Sequence, residues 1–380
     1  MEPKVLAARI GLNPKSLRAM LRASYPRSPG KKGSRWEISD ELAAKVEADY
    51  RAKRVGNEVS TEVVQTQPQA QPPKPKLASV QAIKVVVVVD NYIDVFLRGR
   101  FPVSRVGMKA SKPLQAEHGL SIIVEVTKSG AKKTILVDTA YSSGPLLHNM
   151  KVLGYTPQQI DRIFLSHGHP DHYGGLVGFL EARNLPVYLN AHPDVFCPRY
   201  VVTPDGDVSG PFFLDRNAVE KAGAIALLSR NETMVCAGAM ASGEVKRPVG
   251  PEWPGAGARK IIRDGATGED DFLDDQALVM NLDGKGLVVV GGCMHAGIIN
   301  TLRHAQEATG ITKVHAVIGG FHLTGAPGEN INEALENLKK INPALLIAGH
   351  CTGFDALTLM AKLFPDQFQL SCSGTVIDMM

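Results

Sequence analysis

The chain has 380 residues, 44% of them hydrophobic and 21% charged, with a formal net charge of +4. This length and balance describe a globular chain with room for two domains and a real core, and exclude a disordered or fibrous one. Its apolar run Val85–Val89 ends at Asp90, far short of the roughly 20 residues that span a bilayer, so no membrane association is expected. The stretch "MEPKVLAARIG" has neither the apolar core nor the cleavage site of a secretory leader, which makes the cytoplasm the expected location. Five cysteines (Cys197, Cys236, Cys293, Cys351 and Cys372) contain no C-x-x-C pair and are odd in number, which argues against a disulfide framework.

Taken in chain order, residues 1–56 come first, with 13 Lys and Arg against 6 Asp and Glu. Their net charge is +7, which leaves about −3 for the rest and makes the basic character local. The pattern predicts a short helix at Val5–Ile10, a turn at Gly11-Leu12, and a second helix capped by Asn13 with Pro14 at its first position. Leu17, Met20 and Leu21 give that helix one apolar face. "GKKGSRWEIS" reads as a hairpin or wing, and Ser39 or Asp40 caps a last helix to about Arg54. The arrangement weakly resembles a winged helix-turn-helix, with Lys15, Arg18, Arg22, Lys31, Lys32 and Arg35 facing outward. A DNA- or RNA-binding surface and the solvated basic face of an adaptor or oligomerisation domain both fit, so nucleic acid and an oligomer stand open as partners. Residues 57–80, rich in Gln, Pro, Thr and Ser, read as a linker.

From residue 81 onward strands and helices alternate. Strands are expected near 83–89, 121–127, 133–137, 162–165, 187–189, 277–282, 286–291, 314–318 and 345–348, and helices near 143–153, 174–183, 296–309, 331–341 and 354–363. The class is α+β, with sheets covered by helices. Between the expected strand "RIFL" and the next helix lies "SHGHPDHYGG", so His167, His169, Asp171 and His172 share one strand-to-helix turn. Imidazoles and a carboxylate are good ligands for zinc or iron. One ion cannot easily use all four donors, so the natural division gives His167 and His169 to a first metal and Asp171 and His172 to a second, with a water between them. Two such cations lower the pKa of a shared water and stabilise an oxyanion.

That H-x-H-x-D-H turn resembles the metallo-β-lactamase superfamily, which implies a four-layer αβ/βα sandwich with the site at one sheet edge. "KVVVVVDN", "AEHGLSIIVEV", "ILVDTA", "GEVKR", "DDQALVMNLDGKGLVVVGGCMHAGIIN", "AVIGGFHL" and "AGHCTG" extend the likeness across residues 83–380. Their order is similar to that of the dihydropterin ribofuranosylaminobenzene phosphate synthase group. The resemblance implies two divalent metals, with zinc expected and iron or manganese as alternatives. It gives His295 to the first metal and His350 to the second. Where many relatives have a bridging aspartate this chain has Cys293, so the thiol either ligates or merely packs, and Asp274 or Asp275 is the alternative source of a carboxylate. Asp138 is expected to orient a ligating imidazole. Ala140 stands where the family usually has glycine. His322 and His118 match motifs that approach the metals and are expected to bind substrate or donate a proton, with Asp171 and His322 as the residues closest to the chemistry.

The function expected on these grounds is a hydrolase-type enzyme that turns a metal-activated water on a small phosphorylated or ester-like substrate, or a pterin-related condensation as a narrower form. The region from about 193 to 270 is expected to select the substrate. A second class of function is a nucleic-acid-associated factor whose metal domain cleaves phosphodiesters or senses a ligand. Redox chemistry at a di-iron site is a third, weakened by the lack of a flavin-binding domain.

Overall fold

The structure is a computed structural model that describes residues 6, 17, 21, 38, 39, 41–46, 76–203, 205–248 and 258–380. The chain divides into two compact units, Met1–Pro72 and Pro73–Met380. In the first, Leu6, Leu17, Leu21, Ile38, Ala43 and Val46 bury against one another. Residues 41–46 are helical, and Ser39 Oγ accepts the Leu42 N–H at 3.2 Å, which supplies one of the donors that a helix start leaves unpaired. Residues 30–37 of the expected wing, the basic residues Lys15, Arg18, Arg22, Lys31, Lys32 and Arg35, and linker residues 57–75 lie outside the described residues.

The second unit opens with β1 (Ser79–Val80), β2 (Ala82–Val89), β3 (Val103–Arg105), β4 (Ser121–Lys128) and β5 (Ala131–Val137). Helix α1 (Ser143–Val152), β6 (Arg162–Phe164), α2 (Pro170–Tyr173), α3 (Leu176–Arg183) and β7 (Val187–Ala191) follow. Then come β8 (Arg199–Val202), β9 (Val208–Phe212), α4 (Arg216–Lys221), β10 (Ala224–Leu228), β11 (Thr233–Cys236), β12 (Ala239–Ala241), β13 (Ala258–Arg263) and β14 (Ala266–Glu269). The last stretch holds β15 (Ala277–Leu282), β16 (Gly286–Gly291), α5 (Ile298–Thr309), β17 (Val314–Gly320), α6 (Gly328–Ile341), β18 (Leu345–Gly349), α7 (Phe354–Leu363), β19 (Phe368–Leu370) and β20 (Thr375–Met379).

Two large sheets result, one in the order β11-β12-β15-β16-β17-β18-β19 with β1 beside β15, the other β10-β7-β6-β5-β4-β2-β20-β3. Strand side chains alternate between faces, so a strand buried on both faces must be apolar throughout, as "VVVVV" of β2 is. Val85 and Val87 point between the sheets with Ile122, Val124, Leu278, Val288 and Ile318. Val86 and Val88 point the other way, onto Leu146 and Met150 of α1 and Leu176 and Phe179 of α3. Across the molecule Val289, Val317 and Leu346 pack beneath Ile298 and Leu302 of α5 and Leu335 of α6. The layers are therefore helix, sheet, sheet and helix.

Three expectations need adjusting. Ser79 and Val80, at the end of the expected linker, are already paired in parallel with Asn281 and Leu282, because Leu77 and Val80 are apolar enough to bury. The helix expected over 174–183 is α3, starting at Leu176, and a separate short helix, α2, precedes it within the turn that carries the histidines, the two being divided by Gly174-Gly175. Residues 193–270 carry a small sheet of their own, β14-β13-β8-β9; its outer strands are exposed along their length and give no apolar alternation to read.

Candidate metal centre

Six strands deliver the site from their carboxyl ends: β2 leads to Asp90 and Asn91, β5 to Asp138, β6 to His167–His172, β16 to Cys293 and His295, β17 to His322, and β18 to His350. Tight bends follow those strands. Asp138, Ala140, Met294, His322 and His350 all have φ between 46° and 61°, the left-handed region that disfavours a Cβ. Non-glycine residues held there cost of order 1–3 kcal/mol each and cluster at functional sites.

Two groups of donors converge. His167, His169 and His295 place ligand atoms within 4.8 Å of one another, as do Asp171, His172, Cys293 and His350. Cys293 also meets His295 and His322 within that distance, so its thiol stands between the two groups. His167 Nε2 lies 3.0 Å from His169 Nδ1. His172 Nε2 is 3.1 Å from His350 Nε2 and 3.1 Å from Cys293 Sγ. Asp171 Oδ2 reaches His172 Nε2 at 3.4 Å and His350 Nε2 at 3.3 Å.

Outer oxygens set how three of the rings present themselves. His172 Nδ1 is 2.7 Å from Asp138 Oδ2, His167 Nδ1 is 2.9 Å from Ser166 Oγ, and His350 Nδ1 is 3.2 Å from Asn91 Oδ1. Each leaves Nε2 turned toward the common centre, as a metal-binding imidazole requires. Asp138 is fully buried and also accepts from the Ser166 N–H and hydroxyl, so it fixes both the loop and the His172 ring. Asp90 Oδ1 accepts the His350 N–H at 3.0 Å. A Cβ on Gly292 would come within 2.1 Å of Ser166 Oγ, so only glycine lets β16's end approach this loop.

The electrostatics differ between the groups. Burial, reinforced by neighbouring His172 and His169, drives His167 well below the usual imidazole value. Burial and Arg199 do the same to His169, and burial with His322 to His295. All three are neutral bases with lone pairs crowded together. In the second group burial also disfavours imidazolium, but Asp171 and Asp138 outweigh it and raise His172. His350 rises despite its burial through its bond to Asp171. Asp171 falls well below the ordinary range: burial opposes ionisation, and His172 overcomes it. Burial, followed by the neighbouring Cys351, pushes the Cys293 thiol up, so its thiolate needs a cation beside it.

These residues fit divalent metals. Both ring nitrogens of buried His295 and both of His322 have no hydrogen-bond partner, and unpaired buried donors and acceptors are costly unless something satisfies them. Imidazole, carboxylate and thiolate together suit a borderline-soft ion such as zinc or iron.

Other expected residues lie nearby in different ways. His118 is exposed, stacks on the His350 ring at 5.3 Å between centroids, and comes within 3.6 Å of Asp171 Oδ2. His322 lies 4.0 Å from the His295 ring. Asp274 and Asp275 do not join either donor group: Asp274 Oδ2 faces the Arg199 guanidinium at 2.7 Å and accepts the Gly168 N–H, and Asp275 Oδ2 accepts the Ala296 N–H at 2.9 Å. Burial lifts Asp275 to about 6. A backbone N–H claims one oxygen of each carboxylate, while Oδ1 of each is buried without a hydrogen-bond partner. Asn91, Ser166 and Arg199 are not among the residues singled out from the sequence, although Asn91 and Ser166 stand as polar residues at the ends of apolar runs.

Residues 115–270 match the metallo-beta-lactamase superfamily. A protein of Methanocaldococcus jannaschii, 7,8-dihydropterin-6-methyl-4-(beta-D-ribofuranosyl)-aminobenzene-5'-phosphate synthase, is 35% identical over 271 residues, 70% of this chain and 92% of its own length. An uncharacterized protein of the same organism is 28% identical over 258 residues, 67% of this chain and 91% of its own. Among solved structures, Tm1679, described as a metal-dependent hydrolase of the beta-lactamase superfamily, aligns with a TM-score of 0.61 at 23% identity, covering 78% of this chain and 99% of that one. The chain belongs to the metallo-beta-lactamase superfamily. Within it, the similarity runs nearly the full length of the pterin-related synthase. No helix of the described residues is long and apolar enough to cross a membrane.

Proposed function

We propose that the Pro73–Met380 unit is a metal-dependent enzyme acting on a small phosphorylated or ester-like substrate. The observation that carries this reading is the convergence of two donor groups around the shared Cys293 thiol. When bound there, two divalent cations would lower the pKa of a shared water and stabilise negative charge on a substrate oxygen. His167, His169 and His295 would hold one, and Asp171, His172 and His350 the other. Asp138, Ser166 and Asn91 keep the imidazole Nε2 atoms aimed inward. His322, unpaired on both ring nitrogens beside His295, is placed to carry a proton to a leaving group, and exposed His118 is placed to meet substrate at the rim.

The named activity of the M. jannaschii relative supports a narrower form, a pterin-related condensation, in which the same residues would stabilise charge on a phosphorylated substrate. Metal analysis together with phosphodiesterase, lactonase and pterin-condensation assays of the wild type, His169→Ala and Asp171→Ala tests the reading. Each variant should lose about one equivalent of metal and nearly all turnover; unchanged metal content in both would refute it.

A second reading concerns residues 1–56, whose net charge of +7 favours nucleic acid as a partner. The full chain should then be retained on duplex DNA or RNA with strong salt dependence, and Lys31→Ala, Lys32→Ala and Arg35→Ala together should release it. Failure of the full chain to bind either polymer at low salt would end that reading.

A further inference from the structure

The segment entering β15 makes contacts on both sides. Asp275 N donates to Phe272 O at 3.1 Å, and from that turn the chain runs into the extended strand β15. Ahead of the strand, Asp274 in the turn and Gln276 both face the loop after β6: Asp274 Oδ2 accepts the Gly168 N–H at 2.7 Å, Gln276 Nε2 donates to Leu165 O at 3.1 Å, and Gln276 N donates to Ser166 O at 3.0 Å. Asp275, between them, turns toward the loop after β16 and accepts the Ala296 N–H.

Gly168 separates His167 from His169, and Ala296 follows His295. We propose that Asp274 and Asp275 form a double clasp, each carboxylate fixing one of the two backbone segments that carry the His167/His169/His295 group. They are positioning residues: neither touches the donors' common centre, and each acts through a backbone N–H. The inference rests on the metal-centre reading above.

Arg199 completes the clasp on one side. Its guanidinium is buried, donates from Nε to Asp270 Oδ2 at 2.8 Å, faces Asp274 Oδ2 at 2.7 Å, and donates from Nη1 to Gly168 O at 3.1 Å. The Gly168 peptide is thus held at its N–H by Asp274 and at its C=O by Arg199. A Cβ on residue 168 would lie 2.3 Å from Arg199 Nη1 and 2.8 Å from the Val195 backbone, so the turn needs glycine for this grip to close. Arg199 also holds the buried Asp270, so Asp274 is removed with Arg199 left in place: a guanidinium that keeps one buried carboxylate partner avoids the cost of an unpaired buried charge.

The test is zinc titration of the full chain against a chromophoric chelator, with circular dichroism to verify folding. His169→Ala first identifies which binding step belongs to the three-histidine group. Asp275→Ala should weaken that same step roughly 10–100-fold, the usual effect of losing an outer partner of a ligand, and leave the other step within about threefold. Asp275→Asn, whose amide oxygen still accepts the Ala296 N–H, should restore most of the affinity. Asp274→Ala, which leaves Arg199 paired with Asp270, should weaken the same step. Should Asp275→Ala fail to fold, Asp275→Ser takes its place with the same expectation.

If His169→Ala removes no binding step, the metal-centre reading fails. If His169→Ala removes one while Asp275→Ala and Asp274→Ala bind like the wild type, the clasp alone fails. Loss in Asp275→Ala that Asn does not restore would overturn the clasp in favour of direct ligation by the carboxylate.

Discussion

The two donor groups sit side by side yet are built on opposite electrostatic plans. His167, His169 and His295 are neutral bases whose charged forms burial suppresses. Asp171, His172 and His350 form a network in which carboxylates hold imidazolium in place against burial. A cation entering the first group meets free lone pairs; one entering the second must displace protons that Asp171 and Asp138 favour. The difference teaches that crowding four donors into one turn makes two unequal sites, with Cys293 as the link.

The largest break in this comparison should come from the donors themselves. His169→Ala should abolish tight binding at one site and leave the Asp171/His172/His350 site loaded, while His172→Ala should do the reverse; inductively coupled plasma analysis of dialysed protein counts the equivalent lost from each, and anomalous diffraction shows which site keeps its metal. Both losses should exceed the roughly 10–100-fold typical of an outer residue.

Asp138→Ala should fall within that 10–100-fold range and act on the second site, because Asp138 holds His172 Nδ1 at 2.7 Å. Equal weakening of both sites in a competition titration would show that the buried carboxylate organises the whole loop and favours neither group.

Acidity should sharpen the contrast. In metal-free protein the raised His172 and His350 stay protonated above 6.5. Zinc affinity of the second site should therefore climb as pH rises from 6.5 through those raised values, by about tenfold per unit for each proton released. The first site, with imidazoles lowered below 6.5, should be nearly flat over the same window. The stability signs also oppose each other. His172 contributes stability to the metal-free fold that is full below pH 6.5 and is lost as pH rises through its raised value. The three lowered histidines instead cost stability as pH falls below 6.5, since the unfolded chain then binds protons that the folded one refuses. Thermal unfolding of chelator-treated protein across this range measures both.

The smallest expected effect is that of Cys293→Ser, which keeps a small polar group between the sites and removes the soft donor. Cobalt-loaded protein should lose its sulfur-to-metal charge-transfer band while keeping two equivalents. A band unchanged by the substitution would mean that Cys293 only packs.

Much of this was legible in the residues. The strands at 277–282 and 286–291 and the helix at 354–363 follow directly from apolar runs between turn residues, because a strand buried on both faces has no polar positions to confuse the pattern. The turn at 167–172 announced itself by donor density. His295 and His350 were reachable only through the resemblance, since nothing local distinguishes a strand-end histidine that meets a distant group from one that caps its own loop. Asp274 and Asp275 show the limit most clearly. Their chemistry suggested ligation, but whether a carboxylate meets a cation or a backbone N–H depends on which way an extended segment turns, and that is settled by β15's pairing with β12 and β16. The small sheet of 193–270 was hidden for a different reason: its outer strands are exposed along their length and leave no periodic apolar signature.

The proposed chemistry needs two cations seated in two distinct donor groups. Anomalous diffraction from crystals of zinc-loaded protein, collected on both sides of the zinc absorption edge, addresses this most directly. It should show two peaks about 3.5–4 Å apart, one among His167, His169 and His295 and one among Asp171, His172 and His350. A single peak shared by all six, or peaks away from these residues, would contradict it.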